Sequence, residues 1–182
     1  MILGLVEADA EGVTPTSREA LSFARTLGKR LGYGDLEAVV VGPISDQQRP
    51  LVLAHLGEQG ATVLHHADDE RLTSYGAAAW AASVVEVASS GSACLVIASG
   101  SPRGNEVIAH VATRLDILME ANVVEIDAVE PRAVSPPVMG GGVCGEMLHD
   151  EDITPFSVAG QAVYQHPGAT PTKPALRRHH PH

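Results

Sequence analysis

The stretch that most constrains this chain runs from residue 94 to residue 119. An unbroken apolar run, Cys94-Leu95-Val96-Ile97-Ala98, passes into the small-residue turn Ser99-Gly100-Ser101-Pro102-Arg103-Gly104. Apolar residues then recur at Ile108, Val111, Leu115 and Leu118. A short apolar run without polar alternation reads as a strand buried on both faces. The later spacing lays a single stripe along one face of a helix. A buried strand, a glycine turn and a helix N-terminus form the phosphate-facing corner of many α/β domains.

The same rhythm precedes that stretch. Residues 2–8 form a first apolar strand, and residues 9–14 a polar turn. A helix follows, opened by the capping box Thr16-Ser17-Arg18-Glu19, striped by Leu21, Ala24, Leu27 and Leu31, and ended by Gly32 and Gly34. Residues 36–42 give a second buried strand, and residues 50–58 a short helix with Pro50 in its first turn. Residues 62–66 give a weaker third strand, whose two histidines suggest a sheet edge or the carboxyl end of a strand. Residues 73–90 read as an alanine-rich helix around Trp80. Alternating strands and helices of this kind imply a parallel sheet with right-handed crossovers. After residue 119 the pattern changes to short strands at 121–129, 134–139, 142–148 and 156–164, with no helix between them. These are expected to pair as antiparallel strands at one edge. From residue 166 the composition turns to Pro, Thr, Lys, Arg and His, the mark of a disordered tail. The expected organisation is one domain over 1–165 and a tail over 166–182.

Hydrophobic residues make up 45% of the chain but aromatics only 3%, so the core must be mostly Val, Ala, Leu and Ile. The formal net charge of −10 argues against a nucleic-acid surface, which needs clustered Lys and Arg. The opening MILGLVEAD reads as neither signal peptide nor anchor, and no apolar stretch reaches the roughly 20 residues of a membrane span. The expected location is the cytoplasm.

The candidate binding residues are Gly100, Ser101, Arg103, Gly104 and Asn105. The two glycines let backbone approach closely, Arg103 brings charge, and the helix start offers free N–H groups. Any strand-to-helix turn also wants glycine and a cap, and that reading stays open beside the first. The turn has neither the dinucleotide fingerprint nor the P-loop spacing. Ser99 and Ser101 do not sit in a hydrolase elbow, so hydrolase chemistry is not expected. His65 and His66 are adjacent on a strand, point to opposite faces and cannot readily share a metal. His110 lies off the apolar stripe, and His179, His180 and His182 fall in the tail. No metal-binding spacing is present. The glycines at 140–142 read as a turn or bulge, and the acidic patch at 146–152 as a solvated hairpin tip.

Residues 104–116 resemble a segment of the electron transfer flavoprotein α subunit that likewise follows a strand ending in a small-residue loop. Asn105 and His110 stand where that family has arginines. Val138-Met139-Gly140-Gly141-Gly142 sits where the family has a glycine-containing strand, with Gly142 where asparagine is usual. Phe156-Ser157-Val158 begins a stretch similar to its final strand, closing at Gln165-His166-Pro167-Gly168-Ala169. The resemblance implies the family's amino-terminal domain: a Rossmann-like, adenine-nucleotide-hydrolase-like α/β three-layer sandwich with a mostly parallel sheet and added antiparallel strands near the carboxyl end. In that family a separate carboxy-terminal domain binds FAD, and a β subunit completes a heterodimer and often holds AMP. The resemblance therefore implies an electron-carrier component rather than an enzyme in its own right. It would scaffold a β-like partner while FAD sits in a partner domain or chain, with a dehydrogenase as electron donor. A free-standing nucleotide-binding module resembling universal stress proteins is the alternative, although residues 105–116 lack the glycine those proteins usually carry after the turn. A degenerate structural subunit is the third reading.

Overall fold

A computed structural model describes residues 1–116, 120–123, 154–158 and 172–181. The chain opens with β1 (Ile2–Leu5), followed by a two-strand antiparallel ribbon of β2 (Ala8–Asp9) and β3 (Gly12–Val13). Then come α1 (Pro15–Leu31), β4 (Leu36–Val41), α2 (Gln48–Glu58) and β5 (Val63–Ala67). A 3-10 turn (Glu70–Leu72) leads to α3 (Ala77–Ser90), β6 (Leu95–Ser99) and α4 (Pro102–Leu115). The later strands are β7 (Glu120–Val123), β8 (Thr154–Val158) and β9 (Ala175–His179). The main sheet has seven strands in the order β7-β8-β6-β1-β4-β5-β9.

Each layer follows from the local sequence. α1 buries Leu21, Ala24 and Leu27 of the stripe that sequence spacing predicts, and Ala20 beside them. Its cap is Thr14, which accepts the Ser17 N–H, and Pro15 follows at the first helical position, so the cap lies two residues upstream of the expected Thr16 and the capping box does not form. Gly32 ends the helix in the left-handed region at φ 68°, which glycine enters without a Cβ penalty. α1 and α2 pack with Ile2, Ala38, Val40, Leu64, Leu95 and Ile97 on one face of the sheet. α3 and α4 pack with Leu3, Leu5, Val39, Val96 and Ala98 on the other. Successive residues of each strand thus go to opposite cores, as the pleat requires. A fully buried Leu contributes about 2 kcal/mol, so these two faces outweigh any single cap. The three-layer α/β architecture with a mostly parallel sheet is the one expected.

Two expectations need correction. β8 pairs in parallel with β6, and β7 in parallel with β8, so the described strands near the carboxyl end are not antiparallel. The described antiparallel pair is instead the β2–β3 ribbon after β1. The expected tail is ordered over Ala175–His179, which forms β9 and pairs in parallel along β5. Composition predicts disorder from the polarity of side chains, whereas the sheet edge at β5 offers backbone groups that any extended segment can satisfy. Residues 124–153 and 159–171 lie outside the described residues, and with them the glycine run at 140–142, the acidic patch and two of the expected strands. Among the described residues, no helix is long and apolar enough to cross a membrane.

Candidate functional site

The strand order fixes where a site can form. From β1 the chain runs outward through β4 to β5, then returns to the other flank of β1 as β6. The loops leaving β1 and β6 therefore diverge and open a crevice at the carboxyl ends of these strands, where open α/β sheets bind ligands. Glu7, Ser99, Gly100 and Ser101 meet at this corner.

Glu7 is held there by its backbone. Its N–H donates to Ser17 Oγ at 2.9 Å, and its carbonyl accepts the Thr14 N–H at 2.9 Å. Its side chain then turns into the corner. Ser101 Oγ donates to Glu7 Oε2 at 2.6 Å, and Ser99 Oγ lies 3.1 Å from the same oxygen and 3.0 Å from Ser101 Oγ. Ser101 is also the N-cap of α4, accepting the Gly104 N–H at 3.0 Å. The carboxylate thus occupies the corner where the dipole of α4 would favour an external anion.

The sequence-predicted residues divide accordingly. Gly100, Ser101, Gly104 and Asn105 all lie at the turn, but their polar groups face one another. Asn105 Nδ2 donates to the Gly100 carbonyl at 3.2 Å, and the Asn105 N–H to the Ser101 carbonyl at 2.9 Å. A Cβ on Gly104 would lie 2.0 Å from the Ser99 carbonyl oxygen, so this glycine serves helix-to-strand packing. Arg103 stands apart from the other four, with its guanidinium over the Tyr75 ring at 4.5 Å from the centroid. Tyr75 donates to Glu106 Oε2 at 2.6 Å and meets Trp80 edge to face at 5.0 Å. Burial first, then the Glu106 hydrogen bond and charge, push the Tyr75 hydroxyl up to about 12.

The crevice beside this corner has a volume of about 480 Å³, with Val6, Val40 and Val41 at its apolar side and Glu7, Tyr75 and Arg103 among its polar walls. A larger cavity of about 630 Å³ opens at the opposite, amino-terminal ends of the strands, lined in part by Gly28, Gly32, Gly34 and Asp35. The first has the position of a ligand site in this topology and the second does not. At this corner both serine hydroxyls bond Glu7. Among the described residues no group of His, Cys, Asp and Glu is placed to hold a metal ion. His66 Nε2 bonds the Gly42 carbonyl at 2.7 Å, while His65 faces Glu37 and His179 on the opposite side of β5, so the two histidines do point apart. His110 is exposed on α4.

Glu7 and Tyr75 were missed by sequence reasoning. The only local sign of Glu7 is an acidic residue directly after the first buried strand, which is common in loops. Nothing near Tyr75 marks it as the platform for Arg103.

The family model described as the electron transfer flavoprotein domain matches residues 2–174. The chain belongs to the electron transfer flavoprotein domain family. The match runs from β1 to just before β9, so the sheet apart from β9, the corner at Glu7 and the crevice are all parts of an electron transfer flavoprotein domain. No curated protein matches the chain in sequence.

Proposed function

We propose that this electron transfer flavoprotein domain is of the α-subunit amino-terminal type and works as a scaffold. It docks a β-like subunit together with a flavin-binding domain, in the transfer of electrons from a dehydrogenase. FAD, held by that domain, supplies the redox chemistry, and AMP, where used, belongs to the β-like subunit. The chain carries no catalytic residue of its own in this reading.

One observation within the family frame carries the proposal: the Glu7 carboxylate fills the corner at the α4 N-terminus. A phosphate-bearing cofactor does not fit the residues present. Pro102 has no N–H, the Gly104 and Asn105 N–H groups are bonded to Ser101, and a second anion would meet Glu7 at hydrogen-bond range. Two like charges that close repel strongly once partly removed from water. The cofactor contacts are therefore assigned to the partner, and no electron-transfer step is routed through this corner. The same carboxylate weighs against a free-standing nucleotide-binding module, which needs the corner for phosphate.

Co-expression with the adjacent reading frames, followed by affinity purification, tests the proposal. The expected result is a co-eluting β-like chain and a flavin absorbance band in the complex, with no such band from the isolated chain. A monomer in the presence of the β-like chain would refute the scaffold role. Micromolar AMP or ATP binding to the isolated chain by calorimetry would transfer the reading to the nucleotide-binding module.

A further inference from the structure

The crevice beside the α4 corner carries one charge of each sign. Among the described residues that line it, Glu7 and Arg103 alone are charged. They come from different elements: Glu7 follows β1, and Arg103 lies in the first turn of α4. The two are not joined, and neither takes part in an ion pair among the described residues. The Tyr75 hydroxyl nevertheless feels both, Arg103 favouring its ionised form and Glu7 opposing it. A carboxylate and a guanidinium therefore share one crevice without neutralising each other.

Each of these groups has bonding capacity left. Both serine bonds fall on Oε2 of Glu7, which leaves Oε1 without a partner among the described residues. Arg103 is exposed, with its guanidinium over the Tyr75 ring. Stacking covers a face of the planar fork and leaves its N–H edges free to take a carboxylate. Tyr75 is anchored in turn by its bond to Glu106 and its edge contact with Trp80. The two lining threonines offer less, because Thr14 Oγ1 accepts the Ser17 N–H and Thr73 Oγ1 donates to the Glu70 carbonyl. Val6, Val40, Val41, Leu72 and Trp80 add hydrocarbon to the wall. The volume of about 480 Å³ falls among small-molecule sites, which span about 300–1,000 Å³.

We propose that this crevice binds a free α-amino acid, with its ammonium on Glu7, its carboxylate on the fork of Arg103 and its side chain against the apolar wall. Charge narrows the ligand to this class. A ligand with only an anionic group covers Glu7 and leaves it unpaired, and one with only a cationic group does the same to Arg103. Covering a charge without a partner is costly, whereas a zwitterion pairs both and enters with no net charge. Hydrogen bonds between ionised groups are also the stronger kind, so two of them orient a small ligand. The site goes beyond the scaffold role and does not depend on it. Ligand uptake is read on the chain alone, and partner docking on the complex.

The single tryptophan of the chain lines the crevice, so its fluorescence reports on this site. The full chain is titrated into the millimolar range with each standard L-amino acid other than tryptophan and tyrosine, and Tm is followed in parallel. The expected result is a saturable fluorescence change with at least one of them, matched by a rise in Tm. Its analogues lacking the carboxylate or the ammonium bind at least about tenfold more weakly, as loss of a charged hydrogen bond requires. For L-valine these analogues are isobutylamine and isovalerate. Glu7→Gln keeps an oxygen for the serine hydroxyls and Arg103→Gln alters an exposed side chain, so neither removes a core contact. Each weakens amino-acid binding by about tenfold or more. No response to any amino acid, equal binding of an analogue lacking one charge, or wild-type binding in either variant overturns the proposal. A response to AMP or inorganic phosphate as strong as that to the amino acids overturns it as well.

Discussion

Replacing Gly104 by alanine tests how the corner is built. The new Cβ would sit 2.0 Å from the Ser99 carbonyl oxygen and 3.0 Å from its carbon, where ordinary contacts begin at 3.4 Å. Both atoms are backbone, in the last residue of β6, so neither can rotate away. The start of α4 must withdraw by more than an ångström, which disturbs the Gly104 N–H bond to Ser101 and the Ser101 bond to Glu7. Overpacking of this kind costs up to about 3 kcal/mol, and removal of a helical glycine returns about 1, leaving a net loss of about 2 kcal/mol. For a chain of this size that corresponds to a fall in Tm of about 4–8 °C. Urea and thermal unfolding followed by circular dichroism give both quantities. Wild-type stability in the variant would show that the close approach does not define this corner, and would return Gly104 to the list of ligand-facing residues.

Three further outcomes are expected. Glu7→Ala removes the acceptor of the Ser101 hydroxyl and costs about 1–2 kcal/mol. It also opens the α4 N-terminus, so inorganic phosphate raises the Tm of this variant and not of the wild type; equal stabilisation of both would show that Glu7 does not close the corner. Gly76 caps α3 with extended backbone and no side-chain bond, and nothing lies within 4 Å of a Cβ there. Gly76→Ser should therefore add a few tenths of a kcal/mol to stability, measured by the urea midpoint. Tyr75 should deprotonate only near pH 12 in an ultraviolet titration, because burial and Glu106 favour its neutral form. Glu106→Gln removes the neighbouring charge and brings that ionisation back down, and an unshifted titration would exclude Glu106 as a cause.

The fold was legible where the signal is local. The run Leu95 to Ala98 and the stripe Leu21, Ala24 and Leu27 each state their period within a few residues. The structure buries all seven of these residues. Helix ends were legible to within a turn: Gly32 stops α1 as expected, while Thr14 takes the cap expected at Thr16 because Pro15 fixes the first helical position. The site was legible only as a place. Gly100, Ser101, Gly104 and Asn105 gather at the turn, but whether they face a ligand or each other depends on Glu7, which lies 94 positions before Ser101.

The sequence by itself determined the alternation of buried strands and amphipathic helices, the family segment at residues 104–116, and the divergence of His65 and His66. These depend on periods of two and 3.6 residues, which the chain carries wherever it is read. Only the tertiary structure decided that a carboxylate closes the α4 corner, that Arg103 turns to Tyr75, that β7 and β8 run parallel, and that β9 closes the edge of β5. Each of these joins residues far apart in the chain through a backbone ladder or a single side-chain contact. Such contacts leave no period in the sequence, because they depend on which surfaces the packed sheet brings within reach.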